Sequence, residues 1–308
     1  MRCPITYQQV DSGKYSIVGL HSLSSKLNSL NDIPLSLSEI HQEYLSRAGK
    51  MSIQGVQPKL SMKLNIKENQ FEIVDIKGKF ILKPPNELYP ELPQNEDLSM
   101  KMAKICNIEV PWHGLIYSKD NILNYAIRRF DRKGHNNKFA LEDFAQLSNA
   151  TRNTKYNSSM EQIVSIIDEF CTFPILEKIK LFRRILFNFL IGNEDMHLKN
   201  FSLITRNRKV ELSPAYDLLN TTIALPNLIE EIALPIGGKK NKINHHDVID
   251  YLGKERMKIP SKKIEEEIER IFSCYLEWEK LIEISFLSET MKEKYNILVQ
   301  DRKKRIFG

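Results

Sequence analysis

The stretch GNEDMHLKNFSL, Gly192 to Leu203, sets Asp195 and Asn200 five residues apart, after a long apolar run and before a strand-like segment. Asp217 follows in a second loop, beyond the hairpin-like pair FSLIT and KVEL. Phosphoryl transfer from a nucleotide to a hydroxyl needs these parts. An Asp receives the proton of the acceptor hydroxyl, an Asn five positions on holds a metal ion, and a second Asp sits on Mg²⁺. Lys199, between the first two, is placed to offset phosphate charge. Asp and Asn are also ordinary turn residues, so the pattern gains weight only if other segments supply the remaining parts.

Upstream segments do supply candidates. FILKPP puts Lys83 at the end of an apolar strand, where a phosphate-holding Lys belongs, and Glu96 follows at the start of a helix-like stretch as its pairing acid. Ahead of Lys83 lies SIQGVQPKL, Ser52 to Leu60, with the single glycine Gly55. It fits neither G-x-G-x-x-G nor the Walker pattern. Its place, one hairpin before the Lys, suits a loop covering phosphates, with Lys59 in reach of one. An edge-strand Lys alone is usually solvated, and a plain turn alone accounts for Gly55. The order of the set is what argues for chemistry.

These residues need elements to hold them. Leu60, Met62 and Leu64 alternate in PKLSMKLNI, and FEIVDIKGKFILKPP carries two short β-prone runs in a hairpin-like pattern around Gly78. NEDLSMKMAKICNI reads as one amphipathic helix behind an Asn95 N-cap, and HGLIYS and LNYAIRRF as two more strands. After Asp131 the spacing turns helical in LEDFAQLS, SSMEQIVSIIDEF and PILEKIKLFRRILFNFLIG, with Pro174 at the start of the last. Further helices are expected near His246 to Gly253, Lys262 to Phe272 and Ser285 to Tyr295. The fold class is α+β: a small β-rich part, then a larger helical one.

Composition bounds the classes. The 308 residues are 42% hydrophobic and 27% charged, the balance of a folded globular chain, and the net charge is +6 from 45 basic and 39 acidic residues. That excess suits a phosphate-bearing ligand or an acidic partner, but it is too diffuse to indicate direct nucleic-acid binding. Cys3, Cys106, Cys171 and Cys274 are scattered without a C-x-x-C pair, so buried free thiols are expected. No signal-peptide pattern and no run of about 20 apolar residues is present, so the expectation is a cytoplasmic chain without a membrane span, with export to another cell left open.

The ordered segments SIQGVQPK, FILKPP, QNEDLSMKMAKICNIEVP, RRFDR, LEDFAQ, GNEDMHLKNFSL and LSPAYDL, from residue 52 to 218, resemble the HipA-type toxin kinases of bacterial toxin–antitoxin systems. The opening CPITY and the short region before the loop resemble the HipT branch, in which a separate small HipS-like protein supplies a missing subdomain. The resemblance implies a bilobal protein-kinase-like fold, with an N-terminal lobe over 1–127, a hinge over 128–132 and a helical lobe over 133–308. It implies ATP and Mg²⁺ as cofactors, Asp195 as the catalytic residue, and Asn200 and Asp217 as metal ligands. ATP contacts fall to Lys83, to the loop of Gln54, Gly55, Val56, Gln57 and Lys59, and to His197, Lys199 and Tyr216. Arg128 to Phe130 match the hinge segment that holds adenine through main-chain groups, although the family commonly has Glu at the position of Arg128. Ser52 matches a serine that the kinase phosphorylates itself, adding roughly −1.5 to −2 charge beside the phosphate loop and opposing its closure.

The partners implied are a protein substrate, an aminoacyl-tRNA synthetase of the glutamyl or tryptophanyl kind, and an antitoxin with a helix-turn-helix domain. Two other readings compete. Small-molecule kinases of the aminoglycoside type also use a D-x-x-x-x-N loop, usually with an acidic pocket that the mixed charges here do not suggest. A catalytically silent module docked on an antitoxin would not need all the catalytic residue types.

Overall fold

The alternating Leu60, Met62 and Leu64 do form a strand in the computed structural model of the chain, which describes residues 1–47, 58–86, 88–89, 91–134, 137–151, 154–225 and 230–308. The chain divides into two compact units. The first comprises Met1–Leu98, Pro111–Asn136 and Ile284–Leu287, and the second Ser99–Val110, Asn137–Glu283 and Ser288–Gly308.

The first unit carries two short helices, α1 (Ile17–Leu23) and α2 (Leu37–Arg47), neither expected from the sequence. Its sheet is built from β1 (Leu60–Asn65), β2 (Gln70–Ile73), β3 (Phe80–Lys83), β4 (His113–Tyr117) and β5 (Leu123–Arg128), in the order β2-β1-β3-β5-β4. All pairings are antiparallel. The hairpin expected around Gly78 does not form: β1 lies between the two runs, with Met62 opposite both Ile73 and Phe80. Burial decides this, because Leu60, Met62, Phe71, Phe80 and Leu82 then share one core with Leu20, Leu23 and Ile40. Gly78 instead permits a close backbone approach, since a Cβ there would collide with the Ser61 hydroxyl.

The helix α3 (Leu92–Ile105) begins three residues before Asn95, which is therefore inside the first turn rather than the cap, its N–H bonded to the Glu91 carbonyl at 2.9 Å. Pro93 is tolerated there because first-turn N–H groups have no helical acceptor. The helix is less amphipathic than its sequence suggests, for Asn95, Glu96, Asp97, Leu98, Ser99 and Met100 are all buried in succession.

The second unit joins a three-stranded antiparallel sheet to a set of helices. The strands are β6 (Leu141–Asp143), β7 (Ser202–Arg206) and β8 (Lys209–Leu212), in the order β8-β7-β6. LEDFAQLS is thus half strand, and Asp143 ends β6 as the cap of α4 (Phe144–Leu147), in a reciprocal capping box with Gln146. Then come α5 (Met160–Phe170) and α6 (Pro174–Ile191), the latter with Pro at its first position as expected. The rest of the unit is α7 (Thr221–Ala224), a wide-turn helix α8 (His246–Arg256), α9 (Ser261–Ser273), α10 (Tyr275–Glu283) and α11 (Glu289–Phe307). The helix expected over Ser285 to Tyr295 is thus interrupted at 284–288, and α11 starts later and runs longer. The four cysteines are free and buried. Among the described residues, no helix is long and apolar enough to cross a membrane.

α6 is buried along most of its length and ends at Gly192 in the left-handed conformation, φ 71°. The Asn193 N–H reaches back to the Asn188 carbonyl at 2.9 Å, the long-range bond of a glycine-terminated helix. A Cβ on Gly192 would meet the Leu298 side chain of α11 and, at 2.7 Å, Thr222 Oγ1. Gly192→Ala therefore combines the left-handed penalty, roughly 1–2 kcal/mol, with overpacking, roughly 1–3 kcal/mol. Urea unfolding should show a loss of at least about 2 kcal/mol.

Candidate active site

In the second unit the glycine turn delivers the motif, and most of its polar groups go to holding the backbone. The Gly192 carbonyl accepts from the Thr222 N–H and from both threonine hydroxyls of α7, Thr221 at 3.1 Å and Thr222 at 3.0 Å. Buried Asn193 donates to Asn188 Oδ1 at 2.9 Å and to the Asp217 carbonyl at 3.4 Å, while its own Oδ1 accepts the Asp195 N–H. Glu194 donates its N–H to Thr221 Oγ1, accepts from Thr222 and faces Arg302 of α11 at 3.5 Å. Burial pushes the Glu194 carboxyl above its ordinary value. The partners of Gly192, Asn193 and Glu194 lie up to 108 residues away.

Asp195 is half-buried, and its Oδ1 accepts a 2.6 Å hydrogen bond from the Tyr156 hydroxyl. Its carbonyl accepts from the His197 N–H at 2.9 Å and from Asn200 Nδ2 at 2.8 Å. The Asn200 amide nitrogen is thus committed to the turn, which leaves the oxygen, a hard donor, as the end suited to a cation. His197 caps the short 3-10 turn Leu198–Asn200, with Nδ1 accepting the Lys199 N–H at 3.2 Å. Its Nε2 is 2.6 Å from Lys155 Nζ, and its ring meets the edge of Tyr156 at 5.1 Å. Burial holds the His197 pKa below its ordinary value, with Asp195 opposing and Lys155 adding to the effect.

Asp217 stands in the left-handed region at φ 54°, a conformation Asp tolerates better than most residues but still at some cost. Its neighbour Tyr216 donates to the Lys199 carbonyl at 2.8 Å and is 2.5 Å from the Ser202 hydroxyl. Together with Asn193, Tyr216 stitches the Asp217 loop to the Asp195–Asn200 turn. Beneath these loops Arg184 of α6 is buried and donates to the Ser213 carbonyl at 2.6 Å. Its Nε and Nη1 have no hydrogen-bond partner among the described residues, and burial pushes its pKa down to about 10. Lys155, Tyr156 and Arg184 carry no motif that sequence reading could have found.

In the first unit Lys83 ends β3 and is 3% exposed, and its Nζ donates to Glu96 Oε1 of α3 at 2.5 Å. It also lies 5.5 Å from the Tyr125 ring centroid. The neighbouring Asp97 pairs with His113 at 2.7 Å, equally buried. Lys59 sits half-buried just before β1. Arg128 is turned inward: its guanidinium donates to the Leu23 carbonyl at 2.7 Å and stacks against Phe80 and Trp112 at 5.3 and 5.9 Å. Half-buried Phe130 follows on the chain leaving β5. Ser52, Gln54, Gly55, Val56 and Gln57 lie outside the described residues.

Residues 51–278 match the HipA-like C-terminal domain family. The chain belongs to that family. A candidate kinase of Haemophilus influenzae is 33% identical over 251 residues, covering 74% of this chain and 72% of the relative. The serine/threonine-protein kinase toxin HipA of Shewanella oneidensis is 27% identical over 191 residues, 56% of this chain and 43% of that protein. The sequence match thus covers less than half the length of that HipA. Among solved structures, Shewanella oneidensis HipA, determined with HipB and operator DNA, superposes with TM-score 0.71 at 21% identity over 91% of this chain and 73% of that one. The Helicobacter pylori proinflammatory kinase CtkA gives 0.58 at 17% identity over 83% and 92%. The fold is therefore the α+β fold of the HipA and CtkA kinases.

Two outcomes test the site's internal physics. Breaking a buried ion pair by removing one member costs up to roughly 3–5 kcal/mol; Glu96→Ala should lose stability toward that range in chemical denaturation, and Lys83→Met/Glu96→Leu clearly less. His197 takes up a proton on unfolding near its ordinary pKa of about 6.5 but not in the folded state, so the unfolded form binds more protons just below that pH. Stability should fall as pH drops through about 6.5, and His197→Gln should flatten that part of the profile measured by urea midpoints.

Proposed function

We propose that this chain is an ATP- and Mg²⁺-dependent serine/threonine protein kinase acting as the toxin of a bacterial toxin–antitoxin system. The observation that carries the reading is the second unit's two-loop arrangement. A turn fixed by its own backbone bonds presents the Asp195 carboxylate and the Asn200 amide oxygen, and Asn193 and Tyr216 tie it to the loop of Asp217. One carboxylate and one amide oxygen form a hard donor set of the size Mg²⁺ uses when substrate phosphates complete its shell. Bound Mg²⁺–ATP supplies the phosphoryl group and neutralises its charge.

Each residue then has a task. Asp195 orients the acceptor hydroxyl and takes its proton. Asn200 and Asp217 hold the metal. Lys199 offsets phosphate charge. His197 and Tyr216, expected at the nucleotide, serve it by fixing the Lys199 backbone. Lys83, held rigid by Glu96, binds nucleotide phosphates, and the loop of Gln54 to Gln57 with Lys59 covers them. Residues 128–132 act as the hinge between a lobe over 1–127 and a lobe over 133–308. The Arg128 guanidinium is committed elsewhere, so adenine is held there by main-chain groups and by Phe130.

Regulation and partners follow from the family resemblance. Autophosphorylation of Ser52 places about −1.5 to −2 charge beside a loop built for phosphates and lowers activity. The protein substrate is an aminoacyl-tRNA synthetase, tryptophanyl on the HipT resemblance of the opening residues, with glutamyl as the HipA counterpart. A helix-turn-helix antitoxin and a HipS-like subunit are the binding partners; the HipA of Shewanella oneidensis solved with HipB and operator DNA supports the first.

Labelled ATP and Mg²⁺ given to purified protein should label Ser52, and Asp195→Asn should reduce that label by at least about 10²-fold, the low end of what general base catalysis contributes. Expression of the wild type, but not of Asp195→Asn, should raise one phosphosite on a synthetase in cellular phosphoproteomes. Label that persists in Asp195→Asn, or that appears only on small molecules, overturns the reading.

A further inference from the structure

Tyr156 belongs to no motif, yet its hydroxyl makes the shortest side-chain contact that Asp195 has among the described residues, 2.6 Å to Oδ1. If Asp195 is the proton acceptor, as proposed above, the acceptor hydroxyl must come within about 2.6–3.2 Å of that carboxylate. The phenol already occupies such a position at Oδ1. The Tyr156 segment is docked by more than this bond. The Lys155 carbonyl accepts the Leu198 N–H at 3.4 Å, the Tyr156 ring packs edge-on against His197, and Lys155 Nζ lies 4.7 Å from the ring centroid. Removing the hydroxyl alone leaves all three contacts.

A phenol is a suitable occupant. Burial and the Asp195 charge push its pKa above the ordinary value, so it stays protonated, donates to the carboxylate and is a weak nucleophile. At 41% exposed, the ring lies where an incoming protein chain can reach and displace it.

We infer that Tyr156 stands in for the acceptor hydroxyl, keeping water off the Asp195 oxygen until a protein substrate takes its place. This rests on the kinase reading. Without the phenol, water can use the base: its oxygen bonds to the γ-phosphorus, the bond from phosphorus to the ADP oxygen breaks, and the water proton passes to Asp195 Oδ1. The products are phosphate and ADP. Tyr156 is on this account a positioning residue that suppresses idle ATP hydrolysis.

The full chain, with ATP and Mg²⁺ and no protein acceptor, tests this by free phosphate release from wild type, Tyr156→Phe, Asp195→Asn and the double variant. Tyr156→Phe should release phosphate roughly tenfold faster, in line with loss of one hydrogen bond to a charged group, and Asp195→Asn should abolish the gain. A gain of rate is not what damage to the fold produces. In nucleotide-free protein carrying ¹³Cζ-tyrosine, the Tyr156 phenol should titrate above the ordinary range and move down in Asp195→Asn. Unchanged or slower release from Tyr156→Phe, in a wild type that still phosphorylates itself through Asp195, overturns this inference alone. Phosphate found on Tyr156 does so too, because it makes the phenol an acceptor rather than a placeholder. No Asp195-dependent turnover in any form overturns the kinase reading and this inference with it.

Discussion

The left-handed turn at Gly192 is the constraint on which the second unit depends. A long buried helix has to stop where its last carbonyls can be satisfied and where the chain can leave at a sharp angle. Glycine permits this without steric cost, and the space around it is closed by Leu298 and Thr222. From that fixed point each following residue uses its polar groups on the backbone: Asn193 on Asp217 and on its own turn, Glu194 on the threonines and Arg302, His197 on the Lys199 N–H. What emerges unspoken for by the turn is small, chiefly the Asp195 carboxylate and the Asn200 amide oxygen. A reactive group aimed this way needs no backbone rearrangement when substrate arrives, only release of the Tyr156 phenol, and preorganised polar groups are the largest contributors to catalysis of this kind.

The same logic accounts for buried charges that do little for stability. Lys83 with Glu96 and Asp97 with His113 place an ion pair and a carboxylate–imidazole hydrogen bond in the first unit's interior, where desolvation offsets most of the Coulomb gain of burying charge. An apolar quartet would serve folding as well. The pairs are intelligible as devices that hold one ammonium and one imidazole in fixed directions. Arg184 goes further, a buried guanidinium with no carboxylate in hydrogen-bonding range among the described residues, bonded to the Ser213 carbonyl of the loop that leads to Asp217. Its cationic form persists because even a pKa pushed down to about 10 leaves it charged at neutral pH, so the loop sits on a permanent positive centre.

Legibility from sequence followed how local the determinants are. β1, β4, β5, β7, β8 and α6 were readable because alternation or helical spacing is written in the segment itself. Where the outcome depended on distant partners, reading failed. FEIV and KFILK resemble a hairpin in sequence, but β1 lies between them and adds buried Leu60 and Met62 to their core. NEDL looked like the solvent end of an amphipathic helix, but Glu96 and Asp97 are buried because Lys83 and His113 come from other strands to meet them. Asp195, Asn200 and Asp217 stand out as candidates in the sequence because phosphoryl-transfer chemistry prescribes residue type and spacing; the bonds that tie their loops together do not. The inward turn of Arg128 was not legible either, since it follows from an aromatic pair, Phe80 and Trp112, separated by 32 residues.

The support of the Asp195 turn also reaches past residues 51–278, the stretch that matches the family. α11 begins at Glu289, beyond the residues that define the family resemblance, yet it places Arg302 on Glu194 and Leu298 on Gly192. The guanidinium of Arg302 stacks on Phe189, in the last turn of α6, at 4.5 Å. One helix thereby clamps both sides of the helix end from which the turn starts. A motif can be recognised without this clamp, but its geometry cannot be held without it: the left-handed glycine fixes the chain direction only while the wall around it is solid, and that wall is α11 and α7. The geometry of the Asp195 turn is therefore a property of three segments far apart in sequence, not of the recognisable stretch alone.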